Sequence, residues 1–201
     1  MKKCNVLFPC LLAMVVSAIP QDCSAGKISL RSSAQNGSSV RVNVHQRGNG
    51  LTEVNACADQ GGIIDADLYT SGTDGGYAQN RMTLHSIGGV ASSRSVSIAR
   101  GRGAVSIADN VVATHRGRAY LDVTSEADRY GITEVTGVSS SSGGGTSVLR
   151  LRGYAREALG RPGSVLIQGQ ADSLGRYSMS EVDVFAEGLG GRNHIRAVDF
   201  D

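Results

Sequence analysis

Apolar and polar residues alternate with a period of two along most of this chain. Val40, Val42 and Val44 alternate with Arg41, Asn43 and His45, and Ile64, Ala66 and Leu68 with Asp65 and Asp67. Val96 and Ile98 alternate in the same way with Ser95 and Ser97. Successive side chains on opposite faces are the mark of a β-strand, and one apolar face makes that strand half-buried. The same reading predicts strands at residues 104–108, 119–124, 132–138, 148–153, 165–170, 179–186 and 195–200. Glycine-bearing turns separate them, most clearly Gly48-Asn49-Gly50, residues 72–76, Gly88-Gly89, Gly101-Arg102-Gly103 and residues 188–191. Only residues 154–159 have a helical flavour. Residues 139–145 read as a flexible loop inside one domain that spans residues 26–201.

The repeating unit is therefore strand, glycine turn, strand, with turn clusters roughly 12–25 residues apart. The fold class is all-β. A β-solenoid or stacked hairpins suit the short strands and the small Val, Ile, Ala and Ser side chains, because each rung buries a narrow apolar face against the next. The alternative is a β-sandwich, which favours larger inward residues. A transmembrane barrel ranks last, since it calls for aromatic girdles and the sequence holds 6 Tyr, 3 Phe and no Trp.

The first residues add a compartment. Lys2 and Lys3 precede an apolar stretch from Val6 to Ile19 that is short for a membrane span, Pro20 breaks it, and Cys23-Ser24-Ala25 follows. This predicts a signal peptide at residues 1–25, cleaved after Ala25, with a cut after Ala18 as the alternative. Lipidation at Cys10 or Cys23 is disfavoured by the Phe8-Pro9 and Gln21-Asp22 pairs ahead of them. Localisation is then periplasmic, secreted or at the cell surface. Cleavage leaves Cys57 as the one remaining cysteine of 4. There is then no disulfide framework, and Cys57 is either a small buried residue on a strand or a free thiol. No later apolar run is long enough for a membrane helix.

Charge is nearly balanced, which excludes the strongly basic footprint of a nucleic-acid binder. Its distribution is uneven. Arg94, Arg100, Arg102, Arg116 and Arg118 cluster around a single acid, Asp109, whereas residues 171–201 collect Asp172, Glu181, Asp183, Glu187, Asp199 and Asp201. Either these are two solvated faces, or they are complementary patches for head-to-tail contact or for gripping an acidic polysaccharide.

Signatures of catalysis are missing. No Gly-x-Ser-x-Gly occurs, and His45, His85, His115 and His194 stand far apart without a nucleophile motif. Asp65 with Asp67 and Glu181 with Asp183 put paired carboxylates on one strand face but lack the further ligands of a calcium loop. Lys27 is the one lysine after the signal peptide and follows no phosphate-cradling loop, and Gly101-Arg102-Gly103 is a fragment of a dinucleotide fingerprint without its helix. No cofactor, metal site or enzymatic activity is expected.

The segment Ser39-Val40-Arg41-Val42-Asn43-Val44-His45-Gln46-Arg47-Gly48-Asn49-Gly50 resembles the first half of a curlin repeat, the strand-turn-strand unit of curli fibres. Asn55, Ala56 and Gln60 complete the unit when an insertion is allowed. The resemblance covers one unit and implies a secreted subunit of a surface fibre or matrix. The expectation is an exported structural or adhesive protein assembled by strand-edge pairing with itself or with other cell-surface proteins. A secreted binding module for glycan or protein comes second, and a hydrolase with an unrecognised site third.

Overall fold

The computed structural model describes residues 4–6, 14–17, 21–22, 26–34, 38–59, 61–176 and 178–200. From Gly26 onward the chain runs through thirteen principal strands: β1 (Gly26–Ala34), β2 (Ser39–Arg47), β3 (Gly50–Ala58), β4 (Ile63–Thr73), β5 (Tyr77–Ile87), β6 (Val90–Arg100) and β7 (Ala104–Thr114). Then come β8 (Arg118–Ala127), β9 (Ile132–Ser142), β10 (Thr146–Ala158), β11 (Ser164–Leu174), β12 (Met179–Leu189) and β13 (Arg192–Phe200). Odd-numbered strands form one sheet and even-numbered strands the other. Every neighbouring pair of these thirteen strands is parallel, and each strand passes its row of side chains to the next. The chain is thus a β-solenoid of about 6 turns. Tyr77 pairs with Ala104 and Ala104 with Ile132, so a middle coil takes 27 or 28 residues. The first takes 24, from Gly26 to Gly50, and the one with the longer turn after β10 takes 32 or 33, as from Ile132 to Ser164 and from Thr146 to Met179.

Parallel stacking excludes the hairpin and sandwich alternatives, because hairpins need antiparallel neighbours. Among the described residues an antiparallel strand pair, Glu157 with Pro162 and Ala158 with Arg161, sits inside the longer turn between β10 and β11, and Arg156 makes an isolated antiparallel bridge with Gly190. Residues 154–158 continue β10 rather than turning helical, since inward Gly153 and Ala155 keep the period of two while Tyr154 and Arg156 point out. The expected loop at 139–145 is also corrected. Ser139 and Ser141 are buried inside β9, the Ser147 hydroxyl donates to the Ser139 carbonyl at 2.7 Å, and only Gly143–Gly145 turns. Residues 104–108 are the first half of a strand that reaches Thr114. Asp109 hides that continuity, being an acid on an otherwise apolar inward row.

Glycine at the corners sets the coil. Gly101 and Arg102 both take positive φ, 58° and 72°, the φ signature of a type I′ turn, and the Gly103 N–H closes it on the Arg100 carbonyl at 2.9 Å. Gly103 itself is needed for space, because a Cβ there would meet the Gly72 carbonyl of the coil before. These corners also bond coil to coil: Ile132 donates to Gly103 at 3.0 Å, Ser164 to Gly131 at 2.9 Å and Arg192 to Gly163 at 2.9 Å. On the other corner Arg118 donates to Gly89 at 2.9 Å and Thr146 to Gly117 at 3.0 Å.

The core between the sheets is narrow, which is why small residues fill it. Large and small alternate across it: a Cβ on Gly137 would lie 2.9 Å from Leu121 Cδ2, and one on Gly169 2.7 Å from Leu149 Cδ2. One inner row of the even sheet is polar, running Gln46, Thr70, Ser97, Ser125 and then Gly153. It is held by Thr52 donating to Gln46 at 2.9 Å, Ser97 to Ser125 at 2.8 Å and Ser125 to Thr133 at 2.6 Å. Such fully paired hydroxyls remove most of the cost of burying them.

The expected cleavage site at Ala25 lies outside the described residues. The described pieces before it, Cys4–Val6, Met14–Ser17 and Gln21–Asp22, are short strands lying parallel to β1 and β2.

Candidate functional site

Strand stacking turns outward residues into rows that run the length of the molecule. On the even sheet one row reads Asn43, Asp67, Arg94, Asp122, Arg150 and Asp183, alternating in sign from Asp67 onward. Opposite charges on neighbouring strands attract, so this row favours the observed register over a slipped one. Beside it, Arg41 pairs with Asp65 at 3.3 Å, and Ser92 donates to Asp65 at 2.9 Å.

The clustered arginines therefore do not form one patch. Arg94 belongs to the alternating row in the middle of the solenoid. Arg100 ends β6 and stands 3.8 Å from both Glu126 and Asp128. Arg102 and Arg116 occupy exposed turn positions on opposite corners, with φ of 72° and 65°, and Arg118 opens β8 on the outer face. Asp109, the acid counted among them, is not on the surface at all. It is 2 % exposed, in register between Met82 and Gly137, and accepts from the Ser95 hydroxyl across the core. Burial pushes its carboxyl up to about 7, against the lowering effect of that hydrogen bond.

The acids gather more closely. Asp172 lies on the outer face of β11 and accepts both its bonds, 2.9 and 3.0 Å, from the Gln170 amide. Glu181, Asp183 and Glu187 line the outer face of β12, the last strand of the even sheet. Asp199 is on β13 and accepts from the Ser180 hydroxyl. Asp201 lies outside the described residues.

β12 and β13 form an open end. Their inward residues include Val182, Val184, Ile195 and Ala197, with no further coil over them among the described residues; Val184 is 41 % exposed. Outward on the same strands, Met179, Phe185 and Leu189 are also exposed, with the Phe185 ring 5.7 Å from Tyr154. Seven of the thirteen strands belong to the odd sheet and six to the even, so the outermost of the thirteen at either end, β1 and β13, are both odd.

Two smaller features complete the surface. A shallow depression on the even sheet is lined by Asn43, His45, Asp67, Tyr69 and Arg94, with the His45 and Tyr69 rings 4.4 Å apart. Burial, and then the Arg47 charge, hold His45 below its usual value. Cys57 points outward from β3, half-buried rather than in the core, within 3.6 Å of the Asp59 carboxylate. Burial first, and then Asp59, raise its thiol pKa. Among the described residues no three His, Cys, Asp or Glu converge on a metal-sized site.

No known family model, curated protein or solved structure matches this chain.

Proposed function

We propose that the mature chain is an exported, non-enzymatic structural subunit that assembles at the cell surface by end-on pairing of strands between copies. The observation that carries this is the uncapped end: β13 offers an unpaired strand edge beside the exposed inner residues of β12. A monomeric repeat protein covers its terminal repeat with a polar cap, and a natural sheet blunts its edges. The inward Gln46, bonded to Thr52 in the segment that resembles a curlin repeat, supports the same reading. Electron microscopy and sedimentation of purified residues 26–201 test it. Unbranched filaments are expected, and a chain that stays monomeric at high concentration for days overturns it.

A second reading, a face that binds acidic glycans, has one specific observation behind it. In the depression around Tyr69 an aromatic ring, a guanidinium and two amide or carboxylate groups lie together. Titration with a uronic-acid oligosaccharide tests it: binding lost in both Tyr69→Ala and Arg94→Ala supports it, and no heat of binding to the unaltered protein removes it.

A further inference from the structure

We infer that the two ends of the solenoid are docking surfaces for a second copy of this chain, joined through β13 and β1, with the direction of joining set by charge on the even sheet. This rests on the end-on assembly proposed above and names its contact and polarity.

Because both outermost strands are odd, copies placed end to end meet odd strand to odd strand. The register used by every coil then fixes the partners. Arg196 shares its row with Gln168, Thr136, Ala108, Arg81, Glu53 and Ser29, so it arrives beside Ser29 of the next copy. By the same rows Val198 arrives beside Arg31, Ala197 over Leu30, and Asp199 over Ser32. The Ser32 hydroxyl is buried without a hydrogen-bond partner among the described residues, and Asp199 brings it a carboxylate. No two arginines meet along this strand.

On the even sheet the same placement leaves β12 and β2 facing each other across the width of one absent strand, about 9–10 Å from strand to strand. Rows that begin at Arg41 and Arg47 end at Glu181 and Glu187, so acids face arginines across that slot, with Asp183 opposite Asn43. At that distance, about one Debye length in 0.1 M salt, charge steers the approach without forming contact pairs. Joining two basic ends or two acidic ends sets like charges opposite each other. Head-to-tail contact is favoured, and since it does not close on itself it propagates.

The residues before Gly26 bear on this edge. In the full-length chain Cys4–Val6 pairs along β1, with Asn5 at Ser29 and Val6 at Leu30, the positions that Arg196 and Ala197 of a second copy take. Met14–Ser17 and Gln21–Asp22 lie along β2, with Val15 at Arg41 and Asp22 at Arg47. The end accepts parallel strands, and loss of the leader opens it to another copy.

Charge reversal on residues 26–201 tests the inference. Arg41→Glu with Arg47→Glu in one chain, and Glu181→Lys with Glu187→Lys in another, should each slow filament growth at low salt by about tenfold or more, with circular dichroism unchanged. An equimolar mixture restores opposite charge at every junction and should regain growth, as should a single chain carrying all four reversals. Filaments of the unaltered protein whose growth ignores the reversals, or reversals that the mixture does not rescue, overturn the charge-set polarity while leaving end-on assembly standing. Absence of filaments from the unaltered protein overturns both.

Discussion

The middle and the last coil of this solenoid carry the same alternation of residues and end up in opposite environments. In β8 and β10, Leu121, Leu149 and Leu151 are sealed, at most 1 % exposed. In β12, Val182 and Val184 continue the rows of Leu149 and Leu151, yet Val184 keeps nearly half its surface in solvent. Nothing in the strand itself makes the difference. Burial in a stack of parallel coils is supplied by the next coil, so a terminal coil is half-built until something covers it.

The comparison breaks most severely at the corners. Gly89 lies at an interior corner, where a side chain would meet the Gly62 carbonyl and the Ser86 hydroxyl, so Gly89→Val should abolish the folded strand signal in circular dichroism at 25 °C. Gly188 in the last coil has its nearest atom, the Gly191 carbonyl oxygen, 3.4 Å from the added carbon. Gly188→Ala should leave the spectrum intact and cost under about 1 kcal/mol.

Core truncation sharpens the contrast. Leu149→Ala should cost about 2–5 kcal/mol in denaturant unfolding, because the sealed core cannot refill the space. Val184→Ala in the unassembled chain should cost under about 1 kcal/mol, since much of that side chain is already in water.

Asp109 separates the middle from the ends by pH. Its folded pKa of about 7 lies well above the ordinary value of an aspartate carboxyl, so the folded state holds the proton more tightly than the unfolded state. The favourable contribution is therefore fully present below about pH 4. It is lost as pH rises toward 7, by about 4 kcal/mol in all. No charged residue faces Asp109 from the strands around it, whose nearest rows present Met82, Gly137 and Ser95. Melting temperature of the unaltered chain should fall from pH 4 to pH 7, and Asp109→Asn should flatten that fall. An unaltered slope in the variant would place the titration elsewhere.

The smallest effect belongs to the alternating row. Asp122 stands between Arg94 and Arg150, so Asp122→Ala should cost about 0.2–1 kcal/mol at low salt and less at high salt. Asp183 has only Arg150 as a neighbour in that row, and Asp183→Ala should cost about half as much in the unassembled chain.

The sequence announced ten of the thirteen strands and most of the turns, because alternation and glycine are local signals; it passed over β1, β3 and β5, and in β6 it is Ser95 and Ser97, not Val96 and Ile98, that face the core. It did not announce the coil. The recurrent mark is a glycine just before most strands, as at Gly89, Gly103, Gly117 and Gly131, and its reason at these four is the carbonyl of the preceding coil, which no local pattern displays. Ser139 and Ser141 looked like linker because serine is polar in sequence, yet both are buried, Ser139 in the inward row that Leu84 and Val111 fill in the preceding coils. Of the charged clusters, the acids on β12 kept their proximity because they share one strand. The arginines were scattered because their segment crosses two corners and both sheets, and the cations that share rows with Glu181 and Glu187, Arg41 and Arg47, lie far off at the other end of the chain.

Hydrogen exchange on residues 26–201 before and after assembly tests the central claim most directly. In the unassembled chain the outward-pointing amides of Arg192–Phe200 exchange quickly, as an edge strand must. On assembly they should slow by about 100-fold or more, together with those of Gly26–Ala34, whereas the edge amides of Met179–Leu189 facing the open slot stay fast. Filaments in which the Arg192–Phe200 amides still exchange at the rate of the unassembled chain would contradict joining through β13.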